Sequence, residues 1–290
     1  MSVGVLAHLF GSLPYRELAA KIGNAGFTHI QLALWKAVSD ADFTKPGRLS
    51  PGLVMAMAEE FRKHGVTVSV LGCYLHFFHH DPVVLRENKE RFKELIRYAR
   101  LFGAPMVAAE TGTHPDRKYN ELDRIILRET VLELAEEAEK WGVFIGLEAA
   151  NGHLVGTAQE LNELLMQVPS SHIGVVLDPG NLLHEGNIGR QDEVIREAFD
   201  LLGTRIIACH AKDRKLTEEG RVITVSPGLG DMNYPLYMSL LQQYKPEVHI
   251  IMEHAGEQEM AACKTFVEDT RTEAAKLSVA AETSGSTERT

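Results

Sequence analysis

Cysteine is scarce in this chain: Cys73, Cys209 and Cys263 among 290 residues, with no C-x-x-C spacing. An odd, unspaced set argues against a disulfide framework and for a reducing compartment, so a cytoplasmic protein is expected. No run of about 18 apolar residues occurs, so no membrane span is expected. A basic excess is missing too. The 30 Lys and Arg stand against 40 Asp and Glu, a formal charge of −10, which disfavours nucleic acid as the main partner. The opening Met1-Ser2-Val3-Gly4-Val5-Leu6-Ala7-His8 has neither a basic leader nor a long apolar stretch, and reads as a first strand. No G-x-G-x-x-G follows it, which counts against an open, doubly wound sheet with a phosphate loop.

What the chain does have is a repeat. Helical stretches end in Gly, and a short β-branched run follows, at Ala25-Gly26-Phe27-Thr28, His64-Gly65-Val66-Thr67, Phe102-Gly103-Ala104-Pro105, Trp141-Gly142-Val143-Phe144 and Leu202-Gly203-Thr204-Arg205. Gly suits the position after a helix, where the left-handed conformation carries no Cβ penalty. The first four glycines are 39, 38 and 39 residues apart; the step from 142 to 203 is 61, room for two shorter units. The sixth junction is Val168-Pro169, where Pro stops the helix. Helix starts are marked by Ser50-Pro51, Asp81-Pro82 and the Thr157–Glu160 capping box.

Eight apolar runs alternate with these helices: Val3–Ala7, His29–Leu34, Val66–Leu71, Met106–Ala109, Val143–Leu147, Ile173–Leu177, Ile206–Cys209 and His249–Met252. Nearly continuous apolar strands are covered on both faces, hence parallel with helices outside. The expected fold is α/β, a single (β/α)8 TIM barrel over residues 1–279, a length that such barrels form as one domain. Residues 280–290, rich in Ser, Thr and Glu, are expected to be a disordered tail.

Barrel chemistry sits where strands end. The first polar residues there are His8, Gln31 or Trp35, His76, Glu110, Glu148, Asp178, His210 and Glu253. Glu148, Asp178, His210 and Glu253 close the last four runs. Strands about 4.8 Å apart bring residues of one layer together above the barrel. Three bare carboxylates so close would repel, and a divalent cation removes that conflict. The donor set of three carboxylates and one imidazole suits Mn²⁺, Mg²⁺, Co²⁺ or Zn²⁺. Taken singly, each could instead be a polar loop or capping residue. Near the mouth, His8, His76 and Glu110 are candidate substrate contacts and Trp35 a candidate pocket wall. His79 and His80 read as loop or capping residues, and Asp231 as the N-cap of the helix that follows.

At these residues the chain resembles the xylose isomerase-like barrel superfamily, and within it the sugar phosphate isomerase/epimerase group. The matching features are Glu148, Leu177-Asp178-x-Gly180-Asn181, His210-x-Lys212-Asp213, Gly228-x-Gly230 and Glu253, over about residues 3 to 277. The resemblance implies one divalent metal, most often Mn²⁺, on Glu148, Asp178, His210 and Glu253. It also implies that Glu148 and Glu253 act as the catalytic acid/base pair, and that Asn181, Lys212 and Arg214 contact substrate. Asn181 and Asn233 stand where the related DNA-repair endonucleases carry metal-binding His, which counts against that activity. The expected function is a metal-dependent isomerase or epimerase of a small sugar or polyol, working by proton abstraction next to a carbonyl and a metal-stabilised enediolate. An inosose-type dehydratase on the same site is the alternative; a non-catalytic carbohydrate-binding barrel and an AP endonuclease-like enzyme are further ones. Phosphorylation of the substrate is left open, and a homo-oligomer is compatible with the resemblance.

Overall fold

Short β-branched runs with no polar face become strands that need cover on both sides, and the chain closes them on themselves. The computed structural model describes residues 2–114, 116 and 118–287, with side chains as far as Val279. The strands are β1 (Gly4–Leu6), β2 (His29–Leu32), β3 (Thr67–Gly72), β4 (Met106–Glu110), β5 (Phe144–Glu148), β6 (Ile173–Leu177), β7 (Ile206–Ala211), β8 (Asp213–Leu216), β9 (Val222–Val225) and β10 (His249–Met252). Eight of them form a closed parallel barrel in the order β1-β10-β7-β6-β5-β4-β3-β2. The barrel expected from the apolar runs is therefore present. The segment 280–290 falls outside the described residues, apart from the backbone of the last helix, Met260–Thr287.

Two elements lay beyond the periodic signal. The run His29–Leu34 ends early, because Leu34–Ala37 turns into a short helix that carries Trp35. The strands β8 and β9 form an antiparallel ribbon after β7, with Asp213 opposite Val225 and Leu216 opposite Val222. Its base is held by Asp213, whose buried carboxylate accepts from the backbone N–H groups of Arg214, Gly228, Gly230 and Met232. Asp231 is not the N-cap expected from the sequence. It accepts from Leu216 N in the ribbon, and Asn233 caps the helix Tyr234–Tyr244 through Leu236 N, two residues before Pro235 in the first turn.

The junction glycines mostly behave as read. Gly26, Gly65, Gly103 and Gly142 have φ of 77°, 72°, 82° and 61°. Gly203 is different: its φ of −52° is right-handed, and it opens a 3-10 turn. A Cβ there would collide with the Tyr244 ring, so space rather than backbone conformation demands glycine.

Alternation along the strands sets the depth of the barrel interior. Val70, Met106, Ala108, Val176 and Ala208 form a small apolar cluster apart from the main core. Gly146 belongs to the same layer, since a Cβ on it would lie 2.7 Å from Val176 Cγ2. Two residues further along their strands stand Glu110, Asp178, His210 and Glu148, which therefore share the inward face directly above this floor.

Candidate active site

Register delivers the polar layer. Glu110 on β4 is level with Glu148 on β5, and Ile251 on β10 is level with His210 on β7. Glu253 leaves β10 with its N–H donating to Ala211 O at 3.0 Å. Asp178 follows β6 as the N-cap of the short helix Pro179–Leu182, its Oδ1 accepting from Asn181 N at 3.3 Å. One ligand atom from each of Glu148, Asp178, His210 and Glu253 lies within 4.8 Å of the others. The four side chains singled out at the strand ends thus meet.

His210 is the hub. Its Nδ1 stands 3.3 Å from Glu148 Oε1, 3.1 Å from Glu253 Oε2 and 3.9 Å from Asp178 Oδ2. Its Nε2 stands 2.9 Å from Gln31 Oε1, and the Gln31 amide donates to Tyr74 Oη at 2.7 Å. With the amide nitrogen donating to Tyr74, the Gln31 oxygen faces the imidazole and accepts from Nε2–H. That bond fixes the ring with Nδ1 toward the three carboxylates. Tyr237 Oη, donating to His210 O at 3.0 Å, braces the backbone beneath.

Lys212 is the second cation. Its Nζ lies 3.0 Å from Asp178 Oδ2 and 2.9 Å from Glu253 Oε1. Gly180 makes room for its stem, since a Cβ there would meet Lys212 Cγ at 2.8 Å. Asn181 Nδ2 donates to Glu148 Oε1 at 2.6 Å.

Burial and like charge set the electrostatics. Burial pushes Asp178 up to about 8, with Lys212 opposing and Glu253 and Glu148 adding to the rise. Burial, then Glu148 and Glu253, pushes Glu110 up to about 7. Burial would lower His210, but Glu148 and Glu253 hold it well above its ordinary value. Burial would raise Glu253, but Lys212 and His210 keep it well below. Burial and Lys36 hold His8 down at about 4.

The residues present fit a divalent cation. Among the described residues, Asp178 Oδ2 and Glu253 Oε2 are buried and lack a well-aligned hydrogen bond, although cationic nitrogens stand near both. Three hard oxygens and one oriented imidazole are a donor set for such an ion.

The outer candidates separate into two groups. Glu110 and Lys212 border the cluster, and Asn181 bonds to Glu148. His8 and Trp35 pack edge-on against Tyr74, both with ring centroids 6.4 Å away. His76 is exposed and stacks on Phe78 at 6.5 Å. Tyr74, not His76, is the residue after β3 that reaches the cluster, through Gln31. Arg214 lies in the ribbon and bonds to Thr224 Oγ1 and Leu183 O. The sequence reading passed over Tyr74, whose neighbours Cys73 and Leu75 make it look like part of an apolar run. It also passed over His153, whose Nε2 is 3.8 Å from Glu110 Oε2. His80 is a loop residue, as read, but its ring nitrogen also meets the Asp123 carboxylate.

Known proteins share this architecture. An inosose isomerase of Bacillus velezensis is 27% identical over 196 residues, 64% of this chain and 66% of that protein. A D-tagatose 3-epimerase-like protein superposes with a TM-score of 0.77 at 20% identity, covering 96% of this chain and 100% of that one. A xylose isomerase-like TIM barrel protein from Mycobacterium smegmatis, solved in complex with magnesium, gives 0.75 at 16% identity, covering 95% and 97%. The structural likenesses establish the fold. The family model for the xylose isomerase-like TIM barrel matches residues 18–278, and the chain belongs to that family.

Proposed function

We propose that this protein is an isomerase or epimerase of a small sugar or polyol, acting by proton transfer next to a carbonyl at a site that holds one divalent metal. The observation that carries the proposal is the convergence of Glu148, Asp178, His210 and Glu253 on the mouth of the barrel. Glu148 and Glu253 would hold the ion together with Asp178 and His210, with Mn²⁺ our first choice and Mg²⁺, Co²⁺ or Zn²⁺ alternatives. A bound ion polarises a carbonyl oxygen and shares the charge that develops on it.

The remaining work falls to the chain itself. Glu148 and Glu253 come from β5 and the end of β10, with β6 and β7 between them, so they approach a bound substrate from two sides. Glu148 takes the α-proton, and Asn181 holds its carboxylate in place. Glu253 returns a proton to the opposite face in an epimerase, or to the neighbouring carbon in an isomerase. Lys212, 2.9 Å from Glu253, holds that carboxylate in place, and Glu253, partly open at the mouth, draws the proton it returns from solvent. Glu110, whose carboxyl is pushed up by burial and by Glu148 and Glu253, bonds a substrate hydroxyl. His8 and Trp35 frame the mouth, as does His76 further out.

One observation favours a second reading. Lys212 is an ammonium inside the cluster and could protonate a leaving hydroxyl, which would make the reaction the dehydration of an inosose.

A panel of ketoses, aldoses and inososes incubated with Mn²⁺ in D₂O separates these. Deuterium at the carbon next to the carbonyl without loss of water supports the isomerase or epimerase; loss of water supports the dehydratase. A panel with no exchange and no product anywhere overturns both.

A further inference from the structure

We propose that His80, His114 and Asp123 form a second metal site, outside the barrel-mouth cluster, which takes a zinc-class divalent ion and clips the loop after β3 to the helix Glu121–Trp141. The three ligands come from separate segments. His80 ends the β3 loop just before the Asp81 cap of the helix Pro82–Phe102, His114 lies in the loop after β4, and Asp123 is in the first turn of Glu121–Trp141. One ligand atom from each lies within 4.8 Å of the others. Among the described residues, no hydrogen bond or ion pair joins them to Glu148, Asp178, His210 or Glu253.

Asp123 is oriented before any ion arrives. Its Oδ2 accepts from Asn120 N at 2.9 Å and closes the capping box of its own helix. That bond fixes the carboxyl plane and aims Oδ1 at the two imidazoles. His80 Nε2 is 2.8 Å from Oδ1 and His114 Nε2 is 3.0 Å from it. Both rings present the same nitrogen, and their centroids are 5.4 Å apart. The His114 ring is held by stacking on Tyr119 at 5.9 Å and by the Phe78 edge contact at 5.0 Å.

The distances sit close to what an ion needs. Ligand atoms about 2.0–2.1 Å from a tetrahedral zinc are about 3.3 Å apart. The two nitrogens would have to withdraw from Oδ1 by roughly 0.3–0.5 Å, a small swing of each ring. Two imidazoles and one carboxylate are a zinc-type donor set. The Asp123 side chain is fully buried, whereas His80 is 50% exposed, which leaves an outer face for a water as the fourth ligand. The competing arrangement is a clasp without an ion, with both Nε2–H groups donating to one oxygen.

Such an ion would tie down segments that frame the mouth. The β3 loop carries Tyr74 and already meets the β4 loop through Phe77 N to Thr111 O at 3.2 Å. The test uses the full chain, stripped of metal and titrated with Zn²⁺ alone. In a background where His210→Ala and Glu253→Gln disable the barrel-mouth cluster, one zinc per chain should remain. Adding His80→Gln and His114→Gln should remove it, with circular dichroism confirming that each variant is folded. Half-exposed His80→Gln alone should weaken zinc binding at least about tenfold. Co²⁺ in the first background should give the intense visible absorption of a tetrahedral site, lost in the second. Equal zinc content with and without the two imidazoles, or no zinc in the first background, overturns the site in favour of the ion-free clasp. The readout is metal content, so it stands apart from the outcome of the sugar panel.

Discussion

Glu148 and Glu253 both reach the same nitrogen of His210, yet their surroundings differ, and the difference assigns their tasks. Beyond that shared imidazole, Glu253 pairs with the Lys212 ammonium, whereas the further partner of Glu148 is the neutral Asn181 amide, which suits Glu148 to take the substrate's proton. Glu148→Gln should therefore lower α-proton exchange by about 10²–10⁴-fold with the fold intact. Turnover equal to wild type in a stopped D₂O exchange assay would refute the assignment. Gln31 acts one step further out. Gln31→Leu removes the acceptor for His210 Nε2–H and should weaken metal binding about 10–100-fold, measured by titrating the stripped protein. Unchanged affinity would show that the tautomer is fixed by something else. The four clustered residues were legible because each is a lone polar residue closing an apolar run. Gln31 was legible only as one of two choices, since Trp35 nearby offered an equally good polar or aromatic end. Tyr74 was hidden by its apolar neighbours. Its role depends on a bond to a residue 43 positions away, which no local pattern reports.

At the scale of elements, strands were read by composition and junctions by glycine, and Gly203 shows where that fails. It looks like the other four, but its backbone is ordinary; what it avoids is the Tyr244 ring. Gly203→Ala should cost about 1–3 kcal/mol by overpacking, seen as a fall in the denaturant midpoint. An unchanged midpoint would mean that the Tyr244 ring moves aside freely. The N-terminal ends of β2 and β10 hold another pairing across β1. His29 and His249 have ring centroids 4.8 Å apart, and His29 Nε2 is buried with no hydrogen-bond partner among the described residues. Burial, then His249, holds His29 down at about 4, against 6.5 for a free imidazole. Between these values the unfolded chain binds a proton that the folded chain refuses. The neutral ring thus contributes stability fully above about pH 6.5, and this is lost as pH falls toward about 4. His29→Gln should flatten that limb of the Tm–pH curve. Parallel curves for variant and wild type between pH 7 and 4.5 would exclude His29 as the cause.

Across the whole molecule, closure of the barrel was legible because eight parallel strands covered by helices have few ways to bury both faces. The ribbon β8–β9 was not, because its strands are short, half-exposed and held by one buried carboxylate rather than by an apolar face. Closure also creates an electrostatic problem that no single element has. It brings Glu148, Asp178 and Glu253 together at the mouth, the first two buried and the third partly so, with His210 and Lys212 as the only cations bonded to them among the described residues. Lys212 therefore has a structural task besides its proposed chemical one: it lets the barrel close without an ion. Removing metal from wild type should lower Tm by only several degrees, since an ion held at 100 times its Kd adds about 2.7 kcal/mol. In Lys212→Met the same removal leaves two carboxylates without their ammonium. The drop in Tm on adding chelator should then be clearly larger than in wild type, while the metal-loaded variant stays close to its parent. Equal drops in the two proteins, measured by thermal unfolding with and without chelator, would mean that the carboxylates settle their repulsion by taking up protons, and that Lys212 does not support closure.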